Sequence, residues 1–510
     1  MAFSKITGLD AILALLALFL VRRLTSRRLP APYPPGPKGL PLVGNVLDMP
    51  TKHPWKTIAD WGELYGRIVY VNVLGQPFVF LNSPNAAYDM LHKKSLIYSD
   101  RPSLTMACEL VGWDSTLGLK RFGEEFRAMR RLFHLYMGTR STVEQFAPIE
   151  EYEIRDFLKR VLNNPEELGK TVRRTAGAVI LQVTYGYEPK EYDDPLVELI
   201  ERAMKQVSIL FGLNAFLVDV LPILKHIPAW FPGAKFKRIA PEWAKCASDT
   251  QEVPLRYVKD QMSKGSAVTS FTSKFLEGNH VTPKEETAIK EVAASMYSGG
   301  ADTTVSSVTM FFLMMMLYPE AQKKAQAEID AVIGNDRLPS LSDRDQLPYV
   351  GALVKEVFRW HPVAPLGLPH RLMQDDVHDG YFIPEGTLVI ANIWSVKFLH
   401  DPKTYADPMT FNPDRFLGSQ PEHDPREYCF GFGRRICPGR HLAEASVWLS
   451  CAASLAVFHI SKPVDAAGRP IEPVIDFSSG SNSHVAPFRC DIKPRSETAR
   501  HLILAEDEAK

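Results

Sequence analysis

The chain has 510 residues, 45 % of them hydrophobic, which is ample for a large buried core. Lysine plus arginine equals aspartate plus glutamate, 59 each, so the basic excess of a nucleic-acid-binding protein is missing. Six cysteines without paired motifs argue against a disulfide scaffold and for a reducing compartment.

Ile6–Val21 is mostly Leu, Ala, Ile and Phe and is followed by Arg22, Arg23, Arg27 and Arg28. That charge order favours a cytoplasmic position for everything after it. The run is short against the roughly 20 residues of a full span, and Asp10 lies inside it. No small-residue cleavage site precedes the arginines, so residues 1–24 read as an uncleaved signal anchor, ahead of an interfacial helix. Residues 25–45 carry Pro34-Pro35-Gly36-Pro37 and read as a stiff, extended hinge. Residues 46–510 are left as one large domain.

Trp55–Tyr65 patterns as a helix, and Ile68–Leu74 with Phe78–Leu81 as two strands around Gly75-Gln76-Pro77. Pro84–His92 returns to helix. Ser99–Lys120 is long and irregular, with Pro102, Gly112 and Gly118, and loops of that length usually carry function. Phe122–Tyr136 is a helix bearing Arg127, Arg130 and Arg131. Ile149–Tyr187 and Glu198–Val218 are helical in pattern. Ile227–Gly233 is apolar and proline-rich, suited to touching a membrane or gating a pocket.

Thr282-Pro283-Lys284-Glu285 forms a capping box with proline at the first helical position. The pattern then runs to Tyr318, long for a globular helix. In its middle stands Gly299-Gly300-Ala301-Asp302-Thr303-Thr304, which predicts a local kink. Small side chains there leave room for a small molecule, and a hydroxyl beside a carboxylate can relay protons. Leu353–Trp360 is a helix in which Glu356 and Arg359 share a face. Pro362, Pro365 and Pro369 make Val363–Arg371 extended. Tyr381–Val389 around Pro384-Glu385-Gly386 reads as a hairpin.

The most informative stretch is Phe430–Gly439, Phe-Gly-Phe-Gly-Arg-Arg-Ile-Cys-Pro-Gly. Gly431 and Gly433 permit a tight turn. Cys437 stands beside Arg434 and Arg435, and a helical pattern, Arg440–Leu455, starts just after it. A thiol so placed is expected to have a lowered pKa and to exist as thiolate, a nucleophile or a metal ligand. A dinucleotide loop would need a strand before it and a third glycine opening a helix. Cys429, Cys437 and His441 fit no common zinc spacing. A merely structural cysteine is the bland alternative.

Phe430-x-x-Gly433-x-Arg435-x-Cys437-x-Gly439 resembles the haem-binding loop of the cytochromes P450, with every fixed position filled. The resemblance extends along nearly the whole chain. It implies a mainly α fold with small β-sheets, in a single catalytic domain behind a membrane anchor and a similar proline-rich hinge. Cys437 would be the axial ligand of haem b, with Phe430, Gly433, Arg435 and Gly439 around the cofactor. Arg130 and Arg371 would meet haem propionates. Phe126 stands where the family often has a tryptophan, so one propionate contact would be lost. Thr303 would deliver protons and Asp302 relay them. Glu356, Arg359 and Arg415, the last within Phe411–Phe416, would form a buried triad holding the Cys loop. Gly299, Ala301, Val363, Leu366 and Phe477 would touch substrate, and the Ser99–Lys120 loop would add an apolar wall.

The same resemblance implies a monooxygenase that uses O2 and electrons from NADPH through a separate flavoprotein reductase. It would be anchored in the endoplasmic reticulum membrane with its domain in the cytosol. No nucleic acid is expected. Val172–Gly177 reads like fungal members, which points to secondary metabolism. A terpenoid substrate stands ahead of an aromatic, polyketide or indole scaffold or a xenobiotic. A reductase-independent isomerase or dehydratase, or a non-catalytic haem-binding protein, are the readings of another class.

Overall fold

The computed structural model describes residues 29–191, 193–212, 216–277, 281–395 and 398–505. The expected anchor over 1–24 and the tail Glu506–Lys510 lie outside them.

The proline-rich segment is not a free spacer but lies against a sheet. Tyr33 stacks on Tyr70 with ring centroids 4.7 Å apart. The Tyr70 N–H donates to the Pro35 carbonyl at 2.9 Å, and the Phe382 N–H to that of Pro32 at 2.7 Å. A Cβ on Gly36 would lie 1.9 Å from the Tyr70 carbonyl oxygen, so only glycine lets the two backbones meet.

Helix α1 is Pro54–Tyr65, and strands β1 (Ile68–Val73) and β2 (Gln76–Leu81) pair antiparallel. Leu74 and Gly75, both at positive φ, close their turn one residue before the predicted position. Further along come β3 (His370–Arg371), β4 (Asp376–His378), β5 (Tyr381–Ile383) and β6 (Leu388–Ala391). The main sheet has the order β1-β2-β6-β3. The predicted Tyr381–Val389 hairpin is therefore corrected: β5 turns back on β4 and β6 enters the main sheet beside β2. Asp379 and Gly380 at positive φ make the tight turn, and Pro384-Glu385-Gly386 only carries the chain across.

The long helices are α2 (Glu124–Met137), α3 (Ala147–Asn163), α4 (Leu168–Tyr185), α5 (Pro195–Leu210), α6 (Lys235–Ser263), α7 (Pro283–Leu317), α8 (Pro319–Val332), α9 (Pro348–Trp360) and α10 (Arg440–Val457). Asn164-Pro165 splits the predicted Ile149–Tyr187 helix in two. The capping box at α7 forms as read, with Thr282 and Glu285 each accepting the other's backbone N–H.

Among the described residues α7 alone is long and apolar enough to cross a membrane, yet 72 % of its apolar window is buried in protein, which marks a core helix. Its Ile289–Ala301 half packs in one apolar cluster with Phe133 and Ile200, and its Val305–Met316 half in another with Phe157 and Trp448. Gly299–Thr304 sits where the two meet. The helix runs unbroken through this stretch, so the predicted kink does not interrupt it. The hydroxyls of Ser298 and Thr303 bond back to carbonyls one turn earlier, at 2.8 and 2.7 Å, and stay within the helix. Gly300 has a packing reason: a Cβ there would lie 2.7 Å from Ile180 of α4.

Candidate active site

A cavity of about 420 Å³ lies between α7 and the Cys437 loop. Phe430, Cys437 and Gly439 form one wall, and Gly299, Thr303 and Thr304 of α7 another. Val363 and Leu366 of the extended segment and Trp113 and Leu117 of the long irregular loop line the rest.

The loop is shaped by its glycines and one backbone bond. Gly431 and Gly433 adopt φ of 80° and 54°. A Cβ on Gly433 would fall 2.3 Å from the Leu91 carbonyl oxygen. The Cys437 N–H donates to the Phe430 carbonyl at 2.8 Å and closes the loop. A Cβ on Gly439 would meet only Phe133, at 3.8 Å, so the space before the loop is left free by the protein itself.

One expectation is corrected here. Burial pushes the Cys437 thiol above its ordinary value, against the Gly439 N–H and the charges of Arg130 and Arg440. Arg434 and Arg435 do not supply the field: Arg434 bonds Ser95, and Arg435 is drawn to backbone carbonyls. The chain alone does not make this cysteine a thiolate; coordination to a metal would deprotonate it.

Three guanidiniums face the cavity. Arg435 donates to the carbonyls of Ser99 (2.6 Å) and Lys120 (2.7 Å) and stacks 3.8 Å above the Phe126 ring. Arg101 donates to the carbonyls of Gly118, Leu368 and Pro369 at 2.7–2.9 Å. Arg130 donates to the Ile436 carbonyl at 2.7 Å. No carboxylate among the described residues pairs with any of the three. Burial pulls Arg435 down to about 8 and Arg101 to about 10. Buried cations are ordinarily paired, so these await acidic groups from a ligand. A buried thiol, open space before it and guanidiniums lacking carboxylates fit a haem with its two propionates.

The predicted site residues divide. Cys437, Phe430, Gly433, Gly439, Arg435 and Arg130 all belong to this loop or wall. Arg371 lies off the wall, bonded through its N–H to the Asp100 carbonyl (2.9 Å) and through its guanidinium to the Asp100 carboxylate (3.4 Å). His370 and Arg101 stand on the wall instead. Neither was found from the sequence, because no local pattern links Arg101 or His370 to the Cys loop. Phe126, 3 % exposed, serves as the platform under Arg435.

Thr303 faces the cavity with its Oγ1 on the Gly299 carbonyl. Asp302 points elsewhere. Its carboxylate accepts from Asn482 (2.9 Å), meets His484 (3.0 Å) and lies 3.6 Å from Arg173. Burial alone would raise Asp302, but His484, Asn482 and Arg173 outweigh it and hold the carboxyl below its usual range. Asn482 touches both Asp302 and the cavity. Gly299, Val363 and Leu366 line the cavity. Ala301 instead packs between helices beside Asp302 and Arg173, and Phe477 stacks on His361 with centroids 3.8 Å apart.

The triad is formed. Glu356 and Arg359 are wholly buried, with Arg359 donating to both carboxylate oxygens at 2.7 and 2.9 Å. Arg415 reaches Glu356 at 3.2 Å and is further held by Glu422 at 2.7 Å.

The family model for cytochrome P450 matches residues 34–482. The chain is 56 % identical over 507 residues to cytochrome P450 monooxygenase 208 of Postia placenta, spanning 99 % of this chain and 98 % of that one. It is 47 % identical over 504 residues to cytochrome P450 monooxygenase claR of Ampulloclitocybe clavipes, 98 % and 93 % of the two chains. It is also 42 % identical over 487 residues to cytochrome P450 monooxygenase CLM2 of Gibberella zeae, 93 % and 92 % of the two.

Proposed function

Because the chain belongs to the cytochrome P450 family and is a monooxygenase of it, we propose that Cys437 ligates haem b in this cavity and that an apolar small molecule is oxidised above it. The observation that carries the reading is the placement of Cys437 and Thr303 on one cavity whose wall holds three guanidiniums without carboxylate partners. Bound haem would supply the reduction of O2 by two electrons, one oxygen atom entering the substrate and the other leaving as water.

The chain's own residues do the rest. The Gly439 N–H and the closed loop hold the Cys437 sulfur in place. Arg101, Arg130 and Arg435 would receive the propionates. Thr303 Oγ1 holds a proton for the cavity. The Asp302 carboxylate, held ionised by His484 and Arg173, takes up and passes on protons, and its bond from Asn482 fixes that amide at the cavity wall. Val363, Leu366, Trp113 and Leu117 keep the wall apolar, which suits a hydrocarbon-rich substrate. A terpenoid of fungal secondary metabolism fits that wall, ahead of an aromatic, polyketide or indole scaffold. Electrons come from NADPH through a separate flavoprotein reductase. Residues 1–24 anchor the enzyme in the endoplasmic reticulum membrane with the catalytic domain in the cytosol, supported by the arginines that follow the apolar run.

The test is the difference spectrum of the reduced protein with carbon monoxide. A strongly red-shifted haem band, lost in Cys437→Ala, is the expected result. No haem, or a band of histidine ligation, overturns the reading. Turnover that persists without reductase would mark a haem-thiolate isomerase or dehydratase, and no turnover on any substrate a non-catalytic haem-binding protein.

A further inference from the structure

The cavity has an arm that the reading above does not use. It is the part of the wall made by α3, α4, α7 and α10, whose polar residues there are Glu150, Thr175, Ser307, Ser446 and Ser450. Glu150 is 1 % exposed and sits in the first turn of α3, with Ile154 and Phe157 beside it on the wall. Its Oε1 accepts the Ser446 hydroxyl. Its Oε2 is buried and has no hydrogen-bond partner. On the neighbouring helix Thr175 Oγ1 is likewise buried without a partner.

Unpartnered buried polar side chains on adjacent helices of one cavity wall are the groups that ordered water ordinarily satisfies. We propose that Glu150 is a second proton-holding acid of this enzyme, serving the cavity through water bound in the arm. It is separate from the Asp302 carboxylate, which lies off the wall. The inference rests on the haem-thiolate reading for its use in turnover, but not for its existence.

The electrostatics agree. Burial pushes Glu150 up to about 8, opposed by the Ser446 hydrogen bond. Glu151 on the same helix adds to the rise, and Arg344 opposes it. Arg344 is itself paired with Glu444 of α10 at 3.1 Å. The wall residues that α4, α7 and α10 present to the arm are apolar or carry hydroxyls. Near neutrality the carboxyl therefore keeps its proton, and Oε2 is free to donate it. In the step, the carboxyl O–H bond breaks as an O–H bond to arm water forms, that water gives up a proton towards the cavity, and the carboxylate is reprotonated from solvent water.

Asp302 and Glu150 thus differ in kind: one is held ionised by cationic and amide neighbours, the other is held protonated by burial.

The test is an infrared pH titration of the purified holoenzyme, with and without Glu150→Gln. Glutamine keeps the acceptor for Ser446 and nearly the same shape. A protonated-carboxyl stretch that fades as pH rises through about 8 and is absent from E150Q is expected. Ser446→Ala removes the hydrogen bond that lowers the pKa, so it should move that midpoint upward; a purely structural role would not. In turnover with reductase, E150Q should cut product per NADPH severalfold with hydrogen peroxide making up the difference, and Glu150→Asp should restore part of it. No titrating band, or a band with coupling unchanged in E150Q, overturns the proposal. Should E150Q fail to fold, an unmoved midpoint in S446A overturns it alone. An infrared band present in a protein lacking the carbon monoxide signature would instead remove the haem reading.

Discussion

The chain buries arginines in two places and treats them differently. Behind the Cys437 loop, Arg359 and Arg415 close on Glu356, and Glu422 and the Leu399 and Ala406 carbonyls take the remaining donors. Around the cavity, Arg101, Arg130 and Arg435 reach only carbonyl oxygens and an aromatic face. The first set is complete without a ligand and works as structure. The second leaves positive charge in a low-dielectric space, which disfavours the chain alone and favours an acidic guest. A protein that satisfies its own charges builds a wall; one that withholds the counter-charge builds a site.

Breaking the closed set should have the largest effect. Glu356→Ala strands two buried guanidiniums, so a loss on the order of 3–5 kcal/mol is expected, read as little folded protein in a denaturant titration. Next comes the buried acid Glu150, whose folded value is raised from 4.5 to about 8. Because the native state then binds more protons than the unfolded chain, stability is full at low pH and falls as pH rises from about 4.5 through about 8. Compared with Glu150→Gln, the wild type should therefore lose up to roughly 5 kcal/mol over that window. Equal denaturation midpoints at both ends would show that Glu150 is not held protonated.

Opening the incomplete set sharpens the contrast. Arg435→Ala should leave the haem-free chain as stable as before or more so, while haem affinity falls by roughly 1.5–3 kcal/mol, about 10- to 100-fold. Melting of haem-free protein and haem transfer to a scavenging apoprotein measure the two arms. A loss of stability without a change in haem retention would put Arg435 in the structural set. The smallest effect belongs to an exposed pair. Lys324 and Asp414 meet at 2.7 Å, both about half exposed, and Asp414→Asn should change stability by about 0–1 kcal/mol. Asp414 thus contributes little beside its neighbour Arg415.

What could be read along the chain is what local spacing encodes. The capping box at Thr282 and Glu285, the shared face of Glu356 and Arg359, and the glycines at 431 and 433 are short-range features, and all three take the expected form. Features that depend on a distant partner were read less well. The weak helix formers at Gly299–Thr304 leave α7 uninterrupted, and Gly300 has a role in close packing on Ile180 that the sequence did not show. The turn at Pro384-Glu385-Gly386 was real, but which strand β6 would join was decided by β2, far back in the chain.

The chemistry divides along the same line. The sequence by itself determined that a cysteine would sit in a glycine-shaped loop ahead of a helix, and that a long capped helix would carry Asp302 and Thr303; that the loop and Thr303 face one cavity is tertiary. Only the tertiary structure decided the charge on each group, because charge state depends on burial and on neighbours brought from elsewhere in the chain. Cys437 is raised by burial where the adjacent arginines promised a lowered thiol. Arg371 turns to Asp100, while Arg101 and His370 take the wall. Asp302 is held as a carboxylate by His484, and Glu150, unremarkable in a list of residues, becomes a buried acid when helices from four parts of the chain close around it.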